Sequence, residues 1–152
     1  MTAAFPDVTV VVTAHDAGPD LVARLRHLLD SARFAAVWVM DSASTDGSVA
    51  EAASAIPELK VQRFEENVGP CVTRNRGLEL ATTPLVLWLD DDTEVDAKSI
   101  SALQDALLAS DDRVMAGPSL RFADRRGIVQ YEGGVCHYAG QPHMLHHETP
   151  AM

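Results

Sequence analysis

Short continuous apolar runs alternate with stretches of helical periodicity over the first 117 residues. The apolar runs have the length of β-strands and predict five strands, at residues 8–12, 37–40, 61–64, 85–89 and 114–116. Between them, apolar residues spaced as on one helix face predict helices over residues 21–29, 47–56, 70–81 and 97–108. The run at 85–89 is the most apolar of the five, which is typical of a buried strand.

Continuous apolar strands separated by helices predict an α/β fold, with a mostly parallel sheet covered by helices on both faces. The carboxyl ends of such strands lie along one edge, where open α/β sheets bind their ligands. Beyond Gly117 the alternation gives way to short pieces around residues 120–122 and 128–131, which predict antiparallel strands. We therefore divide the chain into a ligand-binding domain, residues 1–117, and a second segment, residues 118–152.

Composition narrows the class of protein. Hydrophobic residues make up 47% of the 152 residues, enough for a packed core. The formal charge of −10 argues against a nucleic-acid partner, which would require clustered lysine and arginine. No apolar run reaches membrane-spanning length and no signal peptide is recognisable, so we predict a cytoplasmic location. The Gly- and Pro-containing segment after Gly117 predicts exposed apolar surface and self-association.

Three adjacent carboxylates, Asp90, Asp91 and Asp92, directly follow the most apolar strand. In an extended chain Asp90 and Asp92 point the same way, and their charges repel. A divalent cation shared with the phosphates of a ligand would relieve this repulsion, and Mg²⁺ or Mn²⁺ suits such oxygen ligands. The alternative is an acidic turn before the next helix.

Other polar residues follow the remaining strands. Thr13 and His15 come after the first strand, and Asp41 comes after the second and is expected to point into the same cleft. Asp46 and Gly47 have the residue types of a turn and a helix cap. Arg74, near the start of the third helix, is a candidate phosphate ligand because arginine pairs with phosphate through two hydrogen bonds.

A second candidate metal cluster lies near the end of the chain and is the weaker one, because its surroundings show no strand or helix period. It consists of His143, His146, His147 and Glu148.

Residues 8–16, 37–48, 67–77 and 85–96 together resemble the family 2 glycosyltransferases, which have the nucleotide-sugar-binding GT-A fold. The resemblance implies an inverting transfer of sugar from a nucleoside diphosphate-sugar to an acceptor hydroxyl, assisted by Mn²⁺ or Mg²⁺. The implied donor is a UDP- or dTDP-sugar, with a guanosine donor also compatible. The implied acceptor is a saccharide or a lipid-linked saccharide, which would bring the protein to the inner face of the membrane.

The same resemblance assigns residues to the donor site. Thr13 and His15 occupy the loop after the first strand, where the family commonly has tyrosine at the position of His15. Asp41 matches an aspartate that binds the base, and Arg74 matches an arginine near the nucleotide. The stretch Asp90–Asp92 matches the D-x-D motif, with Asp91 near the ribose and Asp92, with Asp90, as metal ligand.

The general base of the family, an Asp or Glu, follows a stretch resembling residues 133–147, so we expect it beyond Met152. Glu132 is the alternative within the chain. This predicts a donor-binding part that is inactive alone. Two other functions remain open: a non-catalytic nucleotide-binding module, and a haloacid-dehalogenase-like phosphatase. The phosphatase motif also places Asp-x-Asp after an apolar strand, but it requires Thr or Val where this chain has Glu94.

Overall fold

The computed structural model describes residues 2–125, 127–132, 134–136 and 142–144. The chain divides into two compact units, residues 1–97 and 98–152. The functional boundary predicted at residue 117 stays a prediction.

In the first unit the described residues form a four-stranded parallel sheet with the strand order β3-β2-β1-β4. Its elements in chain order are β1 (Ala3–Ala14), α1 (Leu21–Ser31), β2 (Ala32–Asp41), α2 (Ser48–Ala55), β3 (Lys60–Arg63), α3 (Gly69–Leu80) and β4 (Leu85–Asp90). The four strands and three helices that the hydrophobic pattern predicted for this part of the chain are therefore confirmed.

Strands β1 and β2 are longer than their apolar runs. Their pairing begins at Ala3 and Ala32, and the register shifts between Phe5 and Thr9. In the added portion the rings of Phe5 and Phe34 stack with their centroids 5.9 Å apart. This extension depends on contacts between segments almost thirty residues apart, so the local alternation of residues did not indicate it.

Helices cover both faces of this sheet. Adjacent residues of a strand point to opposite faces, and Val11 and Val12 are both buried. Val12 lines a small cavity together with Leu21, Leu25 and Leu28 of α1. On the opposite face, Gly77 of α3 lies so close to Val11 that a β-carbon at position 77 would overlap its side chain. The close approach of α3 to β1 therefore requires glycine at this position.

The second unit contains α4 (Ala97–Leu108), apart from its first residue, and two antiparallel pairs of strands. The strands of these pairs are β5 (Leu120–Arg121) with β6 (Val129–Tyr131), and β7 (Gly134–Cys136) with β8 (Pro142–Met144). The antiparallel character predicted here is confirmed. The strand predicted at residues 114–116 is wrong, because Val114 and Met115 are 92% and 75% exposed and pair with no strand in the part of the chain that the structure describes. An apolar run without a neighbouring strand gains nothing from an extended conformation.

Two predictions from the sequence concern features that the described residues only partly cover. Among the described residues, no helix has both the length and the apolar character needed to cross a membrane. Of the histidine cluster near the end of the chain, residues 146–148 lie outside the described residues.

Candidate functional site

The strand order of the sheet reverses between β1 and β4. From β1 the chain adds β2 and β3 on one side, then crosses to place β4 on the other side. Open α/β sheets bind ligands at such a reversal, outside the carboxyl ends of the strands. Thr13 at the end of β1 is the register partner of Asp90 at the end of β4. The topology therefore brings the residues after the first and fourth strands together, as the sequence predicted.

The β1–β4 end of the site is built around carboxylates. The hydroxyl of Thr13 donates a hydrogen bond to Oδ1 of Asp90 over 3.0 Å, and Nη2 of Arg74 donates to the same oxygen over 2.6 Å. The backbone N–H of His15 donates to Oδ2 of Asp91 over 3.1 Å. Asp92 is exposed and has no hydrogen-bond partner among the described residues. The structure thus brings together Thr13, His15, Arg74 and the three aspartates.

A hydrogen bond from α1 stabilises the turn that carries these aspartates. Nη1 of Arg24 donates to the backbone carbonyl oxygen of Asp91 over 3.1 Å, and Nη2 of Arg24 lies 3.5 Å from Asp20 one helical turn earlier. Burial raises the pKa of the Asp91 carboxyl, with the charges of its neighbours Asp92 and Asp90 adding to the effect, and the hydrogen bond from His15 opposing it. Sequence analysis did not identify Arg24, because nothing local distinguishes it from other helix arginines.

The aspartates open onto a cleft of about 400 Å³. Its wall near β2 is formed by uncharged residues that lie in the stretches resembling the family but received no role from the sequence, Ser42, Asn67, Gly69 and Pro70. The hydroxyl of Ser42 donates to Oδ1 of Asn67 and accepts from the N–H of Val68, both over 3.0 Å. The available signal was the position of Ser42, which is the first residue beyond the end of β2.

Asp41 does not line this cleft. Its side chain is 2% exposed, forms an ion pair with Nη1 of Arg63, and accepts a hydrogen bond from the N–H of Ser44 over 2.8 Å. Nη2 of Arg63 donates to the carbonyl of Ser44 over 2.8 Å. The expectation that Asp41 points into the cleft is therefore wrong. Arg63 is the register partner of Asp41 on β3, and the ion pair directs the carboxylate of Asp41 toward β3.

Two further aspartates tie the loops after β1 and β2 to each other. Oδ1 of Asp16 accepts from the N–H groups of Thr45 over 2.6 Å and Asp46 over 3.2 Å. In return, Oδ2 of Asp46 accepts from the N–H of Gly18 over 2.9 Å, and its Oδ1 accepts from Ser48 at the start of α2. These hydrogen bonds, from Thr45 above all for Asp16 and from Ser48 for Asp46, lower the pKa values of both carboxyls. The N-cap of α2 is Gly47, which makes no side-chain cap, so the N-cap position predicted for Asp46 is wrong by one residue and Asp46 instead stabilises the turn before the helix.

The carboxylates fit a divalent cation that shares its coordination with a ligand. Among the described residues, no group of three or more His, Cys, Asp or Glu side chains is arranged to hold an ion alone. Asp90 and Asp92 nevertheless offer carboxylate oxygens to the cleft. Mg²⁺ is commonly held in this way, by one or two carboxylates together with water and substrate phosphates.

Solved structures that are similar to this chain include two complexes with nucleotide-sugars. A mannosyltransferase from Pyrobaculum calidifontis, PcManGT in complex with GDP-Man and Mn²⁺, has a TM-score of 0.56 and 29% identity, over 70% of this chain and 33% of that one. TarS 1-349 of S. aureus in complex with UDP-GlcNAc has a TM-score of 0.53 and 26% identity, over 66% of this chain and 32% of that one.

Sequence comparison leads to the same class of protein. The succinoglycan biosynthesis protein ExoU of Rhizobium meliloti (strain 1021) is 30% identical over 149 residues, which are 95% of this chain and 42% of ExoU. The chain therefore spans less than half the length of each of these three relatives. The family described as glycosyl transferase family 2 matches residues 9–148. Since this match covers most of the sequence, the chain belongs to glycosyl transferase family 2.

Proposed function

We propose that this chain binds the nucleoside diphosphate-sugar donor of a glycosyltransferase, and that the sugar is transferred with inversion and with the assistance of Mn²⁺ or Mg²⁺. The observation that carries the proposal is the convergence of Asp90–Asp92 with Thr13, His15 and Arg74 where the strand order reverses. GDP-Man with Mn²⁺ in one similar protein, and UDP-GlcNAc in another, support a nucleotide-sugar donor.

In this proposal the diphosphate of the donor lies at the β1–β4 end of the cleft. Asp92 and Asp90 would hold the cation, and a cation there would supply positive charge against the negative charge of the departing diphosphate. Nη2 of Arg74 lies 2.6 Å from Oδ1 of Asp90, so its guanidinium is a further positive charge beside the diphosphate. Asp91, fixed by the backbone of His15 and supported by Arg24, faces the ribose.

Inversion requires a single in-line displacement at the anomeric carbon. The oxygen of the acceptor hydroxyl forms a new bond to the anomeric carbon from the face opposite the diphosphate. The bond between the anomeric carbon and the diphosphate oxygen breaks at the same time, and its electron pair leaves with the diphosphate. The hydroxyl proton passes to a carboxylate base. The position of this base, beyond Met152 or at Glu132, remains a prediction. A saccharide or lipid-linked acceptor likewise remains a prediction.

Calorimetry with UDP, dTDP and GDP, each with and without Mn²⁺ or Mg²⁺, tests the proposal. We expect nucleotide binding to require the cation. Asp92→Asn should weaken cation-dependent binding about 100-fold, the upper range for disturbing the surroundings of a bound metal. The matched control is Asp30→Asn, which removes the same charge from an exposed position on α1 and should leave binding unchanged. Equally strong binding without the cation would refute the metal assignment.

An assay for glycosylated product, with the donor that binds, tests the catalytic part of the proposal. Transfer to a saccharide or lipid-linked acceptor, with inverted anomeric configuration, is the expected result. Donor binding without transfer to any acceptor would favour the non-catalytic module instead. The phosphatase alternative is set aside, because the chain belongs to a glycosyltransferase family.

A further inference from the structure

Asp16 lies in the loop after β1 and does not line the cleft, whereas Ala14 and His15 just before it do. We propose that Asp16 is a positioning residue for donor binding, because it fixes the backbone of His15, whose N–H holds the carboxylate of Asp91. This inference rests on the proposed function, since it assumes that Asp91 takes part in binding a nucleoside diphosphate.

The peptide group between Ala14 and His15 connects the carboxyl ends of three strands. Its carbonyl oxygen, on Ala14 at the end of β1, accepts from the N–H of Ser42 after β2 over 2.8 Å. Its N–H, on His15, donates to Oδ2 of Asp91 after β4 over 3.1 Å. A peptide group is planar, so these two hydrogen-bonding atoms move together. Rotation of this one group therefore shifts the Asp91 carboxylate relative to the loop after β2.

Asp16 anchors the chain immediately after this peptide group. Its N–H donates to Oγ of the buried Ser44 over 3.1 Å. Its Oδ1 accepts from the N–H groups of Thr45 over 2.6 Å and Asp46 over 3.2 Å. Both the backbone and the side chain of Asp16 are thus attached to the loop after β2. Since its side chain is 42% exposed, these hydrogen bonds restrain the backbone next to His15 and do not serve to bury Asp16 in the core.

The backbone conformation of Asp16 gives the carboxylate a further task. Its φ of +49° lies in the left-handed region, which few residues other than glycine adopt and which aspartate and asparagine tolerate best. The hydroxyl of Thr45 adds a third hydrogen bond to Oδ1, over 3.3 Å. The N–H of Thr45 above all lowers the pKa of the Asp16 carboxyl, so the group is ionised at neutral pH and its hydrogen bonds are charge-assisted. The carboxylate therefore offsets the cost of the turn that follows His15.

The variant Asp16→Gly separates the carboxylate from the backbone conformation, because glycine adopts the left-handed region without strain. The probe is whichever of UDP, dTDP and GDP the parent chain binds most tightly with Mn²⁺. We expect its affinity to fall by about 10-fold, since only a fraction of the molecules would keep the arrangement that binds. Asp16→Asn keeps an acceptor for the N–H of Thr45 and should stay within about 3-fold of the parent. Calorimetry, at a temperature where circular dichroism shows every variant folded, measures these affinities.

Two further variants separate positioning from effects of stability and charge. Asp91→Ala removes the group through which Asp16 acts, so in that background Asp16→Gly should lower the affinity by less than about 3-fold. A purely structural role would give the same loss in both backgrounds, because independent effects on free energy add. Asp111→Gly removes the same charge from an exposed turn residue that does not line the cleft, and should leave the affinity unchanged.

An unchanged affinity in Asp16→Gly would overturn the inference while leaving the proposed function intact, because binding would still require the cation. The same loss with and without Asp91 would also overturn it, since Asp16 would not act through that residue. Equal losses in Asp16→Gly and Asp16→Asn would assign the effect to the charge of Asp16 and overturn its positioning role. Failure of UDP, dTDP and GDP to bind the parent chain with Mn²⁺ would overturn both the inference and the proposed function.

Discussion

Aspartates follow both β4 and β2, but the two ends of the sheet edge use them differently. After β4, Asp92 is exposed and without a hydrogen-bond partner among the described residues, and Asp90 shares one oxygen between Thr13 and Arg74. After β2, Asp41 is buried with Arg63 and the N–H of Ser44. Asp92 is open to a ligand, and Asp90 can exchange its partners for one. Both carboxylate oxygens of Asp41 are already engaged, one by Arg63 and the other by the N–H of Ser44.

The position of a carboxylate after a strand therefore does not decide its role. A buried carboxylate is tolerated only when charge and hydrogen bonds compensate for the loss of water, and those same bonds prevent it from binding a ligand. Arg63 on the neighbouring strand supplies this compensation to Asp41. The last strand of the sheet, β4, has one strand neighbour among the described residues, so its aspartates remain open to the cleft.

Replacing Asp41 should destabilise the fold far more than replacing Asp92. Asp41→Ala should lower the free energy of unfolding by about 1.5–3 kcal/mol, because it removes a charged acceptor and leaves the N–H of Ser44 without its partner. Asp92→Ala should change stability by less than about 0.5 kcal/mol, since its side chain is exposed. Urea denaturation followed by circular dichroism measures both. Unchanged stability in Asp41→Ala, with weaker binding of nucleotide but not of pyrophosphate, would restore the base contact predicted from the sequence.

A smaller effect concerns the approach of α3 to the sheet. Gly77→Ala places a methyl group against the buried side chain of Val11 and should cost about 1–2 kcal/mol of stability. Since Arg74 lies one helical turn earlier, displacement of α3 should also weaken cation-dependent nucleotide binding. The matched control is Asn75→Ala, at an exposed position of the same helix, and it should be neutral or slightly stabilising. Equal stability of Gly77→Ala and this control would show that the contact relaxes without cost.

The smallest effect concerns the loops after β1 and β2. The pKa of Asp46 is lowered from its ordinary value of 3.8, so its hydrogen bonds stabilise the fold above pH 3.8 and this contribution is lost as the pH falls below that value. Asp46→Asn should therefore lower Tm at pH 7, and its difference from the parent chain should shrink as the pH falls below 3.8. Asp105→Asn, at an exposed position on α4, is the control for the change in net charge. A difference independent of pH would contradict the assignment.

Much of the first unit was predictable from residue patterns. The apolar runs identified the four strands of the parallel sheet, and the helix predicted over residues 70–81 is α3, with Pro70 in its first turn. The polar residues after the first and fourth strands were expected to meet, and they do. Patterns succeeded because a strand buried on both faces requires a continuous apolar run, whatever its neighbours are. The strand expected at residues 114–116 failed because its existence depends on a partner.

Local patterns of residues were enough to establish the α/β class, the parallel sheet and the concentration of carboxylates at its ligand-binding edge, since burial and strand direction follow from them. The tertiary structure alone decided which aspartates remain open. Arg63 covers Asp41, Arg24 supports the turn at Asp91, and Asn67 is oriented by Ser42 and Gly69. The contacts of Arg63 with Asp41, Arg24 with Asp91 and Ser42 with Asn67 each join residues that are distant in the chain. A hydrogen bond forms only where folding has brought both of its partners within about 3 Å.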